Sequence, residues 1–292
     1  MRAAGRGGAP AGRVGAALAG AGLAPRRNAP AGRVGAALAG AGLAPRRNAP
    51  AGRVGAALAG AGLVGRGRAF PILFGALAAS QVVYGRTSRP PAATRGIVGL
   101  MLATSLVEAR RPAPVVAAGA VGFGAELVGV ATGKPFGHYS YSERLGPRVR
   151  GVPLLAAAAW AMMARPSWAI AGRIARRPAA RVPLAAAALT AWDVYLDPRM
   201  VREGYWSWPG GGRYEGIPAS NFAGWFATGL LVFAAYAALD REPDDDGAVA
   251  LYVWTWLGEA IANAFIWRHP RVALAGGAAM GAFAVPALLR RA

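Results

Sequence analysis

Apolar runs recur along the last three quarters of this chain, separated by short loops rich in arginine, proline and glycine. Eight runs occupy 69–84, 96–109, 115–132, 151–164, 182–197, 217–239, 248–267 and 272–289. A helix needs roughly 20 apolar residues, with about 17–25 tolerated, to cross a bilayer core. The runs at 115–132, 217–239, 248–267 and 272–289 reach that length unaided, whereas 69–84, 96–109, 151–164 and 182–197 need flanking residues. The pattern predicts an all-α, polytopic integral membrane bundle of seven or eight transmembrane helices over residues 69–292. A single apolar core followed by a small-residue cleavage site, the mark of a signal peptide, is not evident at the start.

The first 68 residues follow a different pattern. AGRVGAALAGAGLAPRRNAP at 11–30 recurs unchanged at 31–50, and AGRVGAALAGAGL follows at 51–63. Repeats of this period can build solenoids, but these copies are identical and carry only Leu and Val as sizeable apolar residues. Gly and Pro interrupt any helix there. Residues 1–68 are therefore expected to form a disordered basic low-complexity tail, with a grip on anionic lipid or a downstream translation start as alternatives.

Composition sharpens the membrane reading: 55% of residues are apolar, 16% are charged and mean hydropathy is +0.32. Soluble domains carry about 25% charged residues. The formal charge of +20 would suggest nucleic acid if taken whole, but its distribution argues against that partner. Residues 1–68 hold 11 arginines and no acid, and the other basic residues are spread over short loops that suit anionic lipid surfaces. With no cysteine, disulfides, thiolate metal sites and a cysteine nucleophile are excluded. Two histidines, His138 and His269, argue against an imidazole metal cluster. His138 reads either as an acid or base or as a surface hydrogen-bonding group. Walker, HExxH and GxSxG motifs are missing, and GAVGFG at 119–124 departs from the dinucleotide fingerprint.

Candidate chemistry rests on acids within or beside apolar runs. Asp193 and Asp197 end the run VPLAAAALTAW and, four apart, share one helix face. They read either as solvated helix ends in the headgroup region or as groups facing a cavity. Gly119, Gly122, Glu126, Gly129 and Gly133 form a stripe on one helix face, so Glu126 points into whatever packs there. That stripe is equally consistent with a packing seam and with a catalytic face. Thr255, Glu259 and Asn263 form a second polar line, on which an unpaired Glu259 carboxyl would stay protonated. Glu108, beside Arg110 and Arg111, reads as an interfacial charge. If all eight runs span, loops 134–150 and 198–216 share one face with Glu126, Asp193 and Asp197 just below. The arginine-rich stretch 165–181 on the other face favours a cytoplasmic position there. Nine tryptophans form either an interfacial belt or, in part, the walls of a pocket for a polyene and a transient carbocation.

ELVGVATGKPFGHYSYSERLGPRVRGVPLLAAAAW at 126–160 and WDVYLDPRMVREGYWSW with YEGIPASNFAGWF over 192–226 resemble one known family. It is the carotenoid biosynthesis membrane protein family, of the carotenoid 1,2-hydratase and bisanhydrobacterioruberin hydratase type. The resemblance covers roughly 69–289. It implies a multi-pass protein of the bacterial cytoplasmic membrane and a hydro-lyase that adds water to the terminal C=C of an acyclic carotenoid end group. It implies no metal and no cofactor; the partners would be membrane lipid, the long acyclic carotenoid and other membrane enzymes of carotenoid synthesis. Glu126, Asp193 and Asp197 are then the expected catalytic groups, with Asp193 or Glu126 as acid and Asp197 positioning water. Tyr139, Tyr141, Trp206, Trp208, Asn221, Trp225 and Glu259 are the expected substrate-binding residues. Two alternatives remain: a membrane prenyltransferase-like enzyme holding Mg²⁺ and diphosphate on Asp193 and Asp197, or a non-enzymatic carotenoid-binding or transport protein.

Overall fold

The structure, a computed structural model, describes residues 66–107, 109, 111–240 and 246–290. The expectations for Glu108 and for residues 1–65 of the repeat tail lie outside the described residues, whereas 66–68, expected in that tail, open the first helix.

Eight helices form among the described residues: α1 (Arg66–Arg86), α2 (Pro91–Val107), α3 (Ala113–Thr132), α4 (Leu154–Ile174), α5 (Pro178–Arg202), α6 (Ala219–Leu239), α7 (Asp246–Ile261) and α8 (Pro270–Leu289). A π turn over Ala262–Ile266 extends α7. Five of these stretches are long and apolar enough to cross a membrane: α3, α4, α6, α7 with its π turn, and α8. The all-α membrane bundle predicted from periodicity is the fold observed. Large apolar side chains such as Leu231, Phe265 and Leu274 stand exposed on the outside, as a lipid-facing surface requires.

Two boundaries differ from the expectation. The run at 151–164 was expected to stop before Arg165 and Pro166, yet α4 continues to Ile174 with Pro166 inside it. Arg165 is buried there, and its Nη1 donates to the Ser105 carbonyl at 2.8 Å. Neighbouring helices can satisfy what a proline and an arginine leave open in a buried span. The predicted loop 165–181 thus shrinks to 175–177, between α4 and α5. The second difference concerns α5, which runs through both aspartates to Arg202 instead of ending at them.

Helix α4 is the central element. It packs against α2, α3, α5, α7 and α8 and buries most of its length. Its Trp160, Met163 and Ile170 join Leu189 and Tyr195 of α5 in the core. Short strands organise the loops at one end of the bundle. Strand β1 (Ser140–Tyr141) pairs antiparallel with β4 (Trp206–Ser207), placing Tyr141 opposite Trp206. β2 (Arg148–Val149) pairs with β3 (Val152–Pro153) just before α4. The loops 134–150 and 198–216, expected to share a face, are hydrogen-bonded to one another.

Candidate functional site

The glycine stripe of α3 brings aromatic side chains against its backbone. A Cβ on Gly122 would lie 2.2 Å from the Trp160 ring, and one on Gly129 would lie 2.7 Å from both Phe136 and the Tyr139 hydroxyl. Only glycine leaves room for those rings. Glu126, on the same face, receives them as donors. Trp160 Nε1 donates to its Oε1 at 3.1 Å and Tyr141 Oη to its Oε2 at 2.8 Å, while Tyr139 Oη donates to that same Oε2. The stripe is a packing seam, and its acid is bonded across it. Burial, and then the facing Glu126 carboxyl, push both phenols well above the ordinary tyrosine range, so they remain donors.

The PFG loop holds this arrangement. Helix α3 closes on Gly133 in a left-handed conformation, with the exposed His138 ring packed over it. Phe136 then plugs between Gly129 and Gly224, and Trp208 Nε1 donates to its carbonyl at 3.0 Å. His138 itself is exposed.

The aspartate pair meets α6. Asp193 and Asp197 are 0% and 2% exposed, which removes the reading as solvated helix ends. Asn221 Nδ2 bridges them, donating to Asp193 Oδ2 at 2.9 Å and to Asp197 Oδ2. The two carboxyls thus meet at a single amide nitrogen, and Trp206 Nε1 donates to Asp197 Oδ1 at 3.0 Å. Asp193 Oδ1 is buried with no hydrogen-bond partner among the described residues.

A cavity of about 390 Å³ opens onto these groups. Glu126, Asp197, Asn221, Tyr139, Tyr141, Trp206, Trp208 and Trp225 all line it. Asp193 lies behind Asp197 and does not reach the wall. Most of the lining is apolar or aromatic, including Val98, Met101, Leu196 and Met200. Trp160 and Trp225 stack with centroids 4.1 Å apart, and Trp192 meets Trp225 edge-on at 6.1 Å.

Glu259 lines the same cavity and is paired. Arg199 Nη1 contacts its Oε1 at 2.8 Å, and Asn263 Nδ2 lies 3.4 Å from its Oε2. The cation comes from α5, two residues beyond Asp197. Among the tryptophans, Trp254 lines the cavity, whereas Trp256 is turned to α8, bonding the Gly277 carbonyl at 2.8 Å.

Trp160, Phe136 and Arg199 escaped the sequence reading as site residues. The spacing of Gly122 and Glu126 carried a signal for a large partner, but no local pattern names which residue supplies it. Among the described residues, no group of three or more His, Cys, Asp or Glu side chains could hold a metal ion.

Together these features define a class: a helical membrane protein that presents a cluster of buried carboxyl groups to an apolar, tryptophan-walled cavity. The family described as carotenoid biosynthesis protein matches residues 92–285, and the chain belongs to that family. A curated relative, bisanhydrobacterioruberin hydratase of Haloarcula japonica, is 32% identical over 131 residues, or 43% of this chain. The matched segment spans 44% of that relative's length. No solved structure matches the chain.

Proposed function

We propose that this protein is a cofactor-independent hydro-lyase that adds water to the terminal trisubstituted C=C of an acyclic carotenoid end group. The observation that carries the reading is Asp197: bridged through Asn221 to a second buried carboxyl, it faces a cavity whose lining is mostly apolar and aromatic. Two carboxyls in contact away from water commonly hold one proton between them. Because Asp193 does not reach the cavity wall, Asp197 takes the acid role expected of Asp193 or Glu126: it delivers that proton to the less substituted alkene carbon, forming a C–H bond and leaving a tertiary cation at the other carbon. The indole faces of Trp160 and Trp225 stabilise that cation. Water attacks it, a C–O bond forms, and the released proton returns to the Asp193–Asp197 pair. One water is added and the acid is regenerated.

Glu126 has a different place in this scheme. Both its oxygens are engaged by donors, an arrangement suited to a carboxylate that offsets the cation's charge. Asp193 acts behind Asp197 as the partner that shares its proton. At about 390 Å³ the cavity is near the lower end of small-molecule sites, roughly 300–1,000 Å³, so it takes an end group while the polyene trails outside. A multi-pass position in the bacterial cytoplasmic membrane, where such a polyene dissolves, belongs to the same proposal.

The test is expression in a host that accumulates lycopene or a related acyclic carotene, with pigments analysed by liquid chromatography and mass spectrometry. The expected product is more polar and heavier by one water. Separate Glu126→Gln, Asp193→Asn and Asp197→Asn variants should each lose it while still inserting in the membrane. Full hydration by all three amides would remove the site. Unchanged pigment from well-inserted wild-type protein, across several acyclic carotenes, would remove the activity.

A further inference from the structure

A carotenoid dissolved in lipid cannot reach Asp197 through the hydrogen-bonded loops that cover the bundle end. It needs an opening towards the bilayer, and the cavity wall shows where one lies. Of all the lining residues, those exposed on the outer surface are Val82, Arg86, Leu257 and Ile261. Every one belongs to α1 or α7. Val82, Leu257 and Ile261 are 44%, 45% and 54% exposed. The liners contributed by α2, α4, α5 and α6 are buried or half-buried.

Indole hydrogen bonds flank Val82 on α1, one from α7 and one from the residue that follows its π turn. Trp254 Nε1 donates to Gln81 Oε1 at 2.7 Å, and Trp267 Nε1 donates to the Gly85 carbonyl at 3.2 Å. Between those bars the wall is made of Val82, Leu257, Ile261 and two residues without side chains, Gly85 and Gly258. A Cβ on Gly258 would meet nothing within 4 Å. The π turn at Ala262–Ile266 follows directly on α7. Such turns loosen the regular ladder and often mark functional positions.

We infer that the gap between α1 and α7 is a lateral portal through which the polyene enters from the lipid, its end group passing Gly258 to reach Asp197. The proposal rests on the carotenoid reading for its ligand. The apolar rim suits a hydrocarbon chain, because Val82, Leu257 and Ile261 exchange lipid contact for polyene contact at little cost. Arg86 lies at the rim near the end of α1, and the Arg199–Glu259 pair lines the cavity that the portal enters.

The test measures loading separately from chemistry. Wild-type protein in lipid nanodiscs is mixed with lycopene-loaded vesicles, and uptake is followed as quenching of tryptophan emission. Gly258→Phe should slow uptake by about tenfold or more. Gly75→Phe, on α1 away from the cavity and with equally open surroundings, should load like wild type. Val82→Trp narrows the same gap and substitutes if Gly258→Phe does not insert. Uptake by both portal variants at the wild-type rate would overturn the portal, as would a wild-type protein that takes up no polyene. Normal uptake without any water-added product would instead count against the hydratase reading and leave the portal standing.

Discussion

Glu126 and Glu259 are two glutamates on the wall of one cavity, yet their partners differ in kind. Glu126 is held by two phenols and an indole, all neutral donors. Glu259 is held by a guanidinium and an amide, so its charge is cancelled where it stands. Neutral donors fix a carboxyl's position and leave its charge free to act on whatever enters the cavity. A cation beside it removes that freedom and ties α5 to α7. The comparison separates a chemical end of the cavity, around Glu126 and Asp197, from an anchored end around Arg199 and Glu259.

The largest expected effect breaks the chemical end alone. Asp197→Asn should lower hydration by about 10²–10⁴-fold, the usual contribution of a general acid, measured as product per inserted protein. Glu259→Gln should retain most turnover but lose stability. It leaves the Arg199 guanidinium partly buried without its counter-charge, at a cost of about 1–3 kcal/mol. A thermal melt of the purified protein reads that difference. Equal catalytic losses in the two variants would erase the distinction between the ends.

A smaller effect probes how Glu126 is held. Gly122→Ala puts a methyl where the Trp160 ring lies, so the indole must move from both Glu126 and Trp225. Activity should fall by about tenfold or more, with Trp160→Phe falling less because it keeps an aromatic face and loses only the N–H donor. A Gly122→Ala protein as active as wild type would show that Trp160 does not act on the chemistry. The smallest effect is expected from chelation: removing divalent metal with EDTA should leave the rate unchanged. Strict Mg²⁺ dependence would favour the prenyltransferase-like alternative and recast Asp193 and Asp197 as ligands.

Much of the site was legible because its acids stand out against apolar runs. Glu126, Asp197, Asn221, Tyr139, Tyr141, Trp206 and Trp208 can be picked out by residue type, and all of them line one cavity. The end of α4 was not legible: Arg165-Pro166 looks like a stop until the surrounding helices are seen to bury it. The pairing of Glu259 was hidden for a similar reason. Arg199 follows Asp197 by two residues, which on a helix places it on another face, and nothing local aims it at α7.

The amino-acid sequence alone determines the helical membrane architecture, because apolar length and periodicity are local properties that the bilayer reads directly. It also determines which acids are costly to bury. Tertiary packing decides what each acid does there. Burial, partner and access to the cavity depend on residues brought from distant parts of the chain: Trp160 to Glu126, Asn221 to the aspartates, Arg199 to Glu259. The same packing places Asp193 behind Asp197 and leaves the gap between α1 and α7, because both follow from how whole helices fit together.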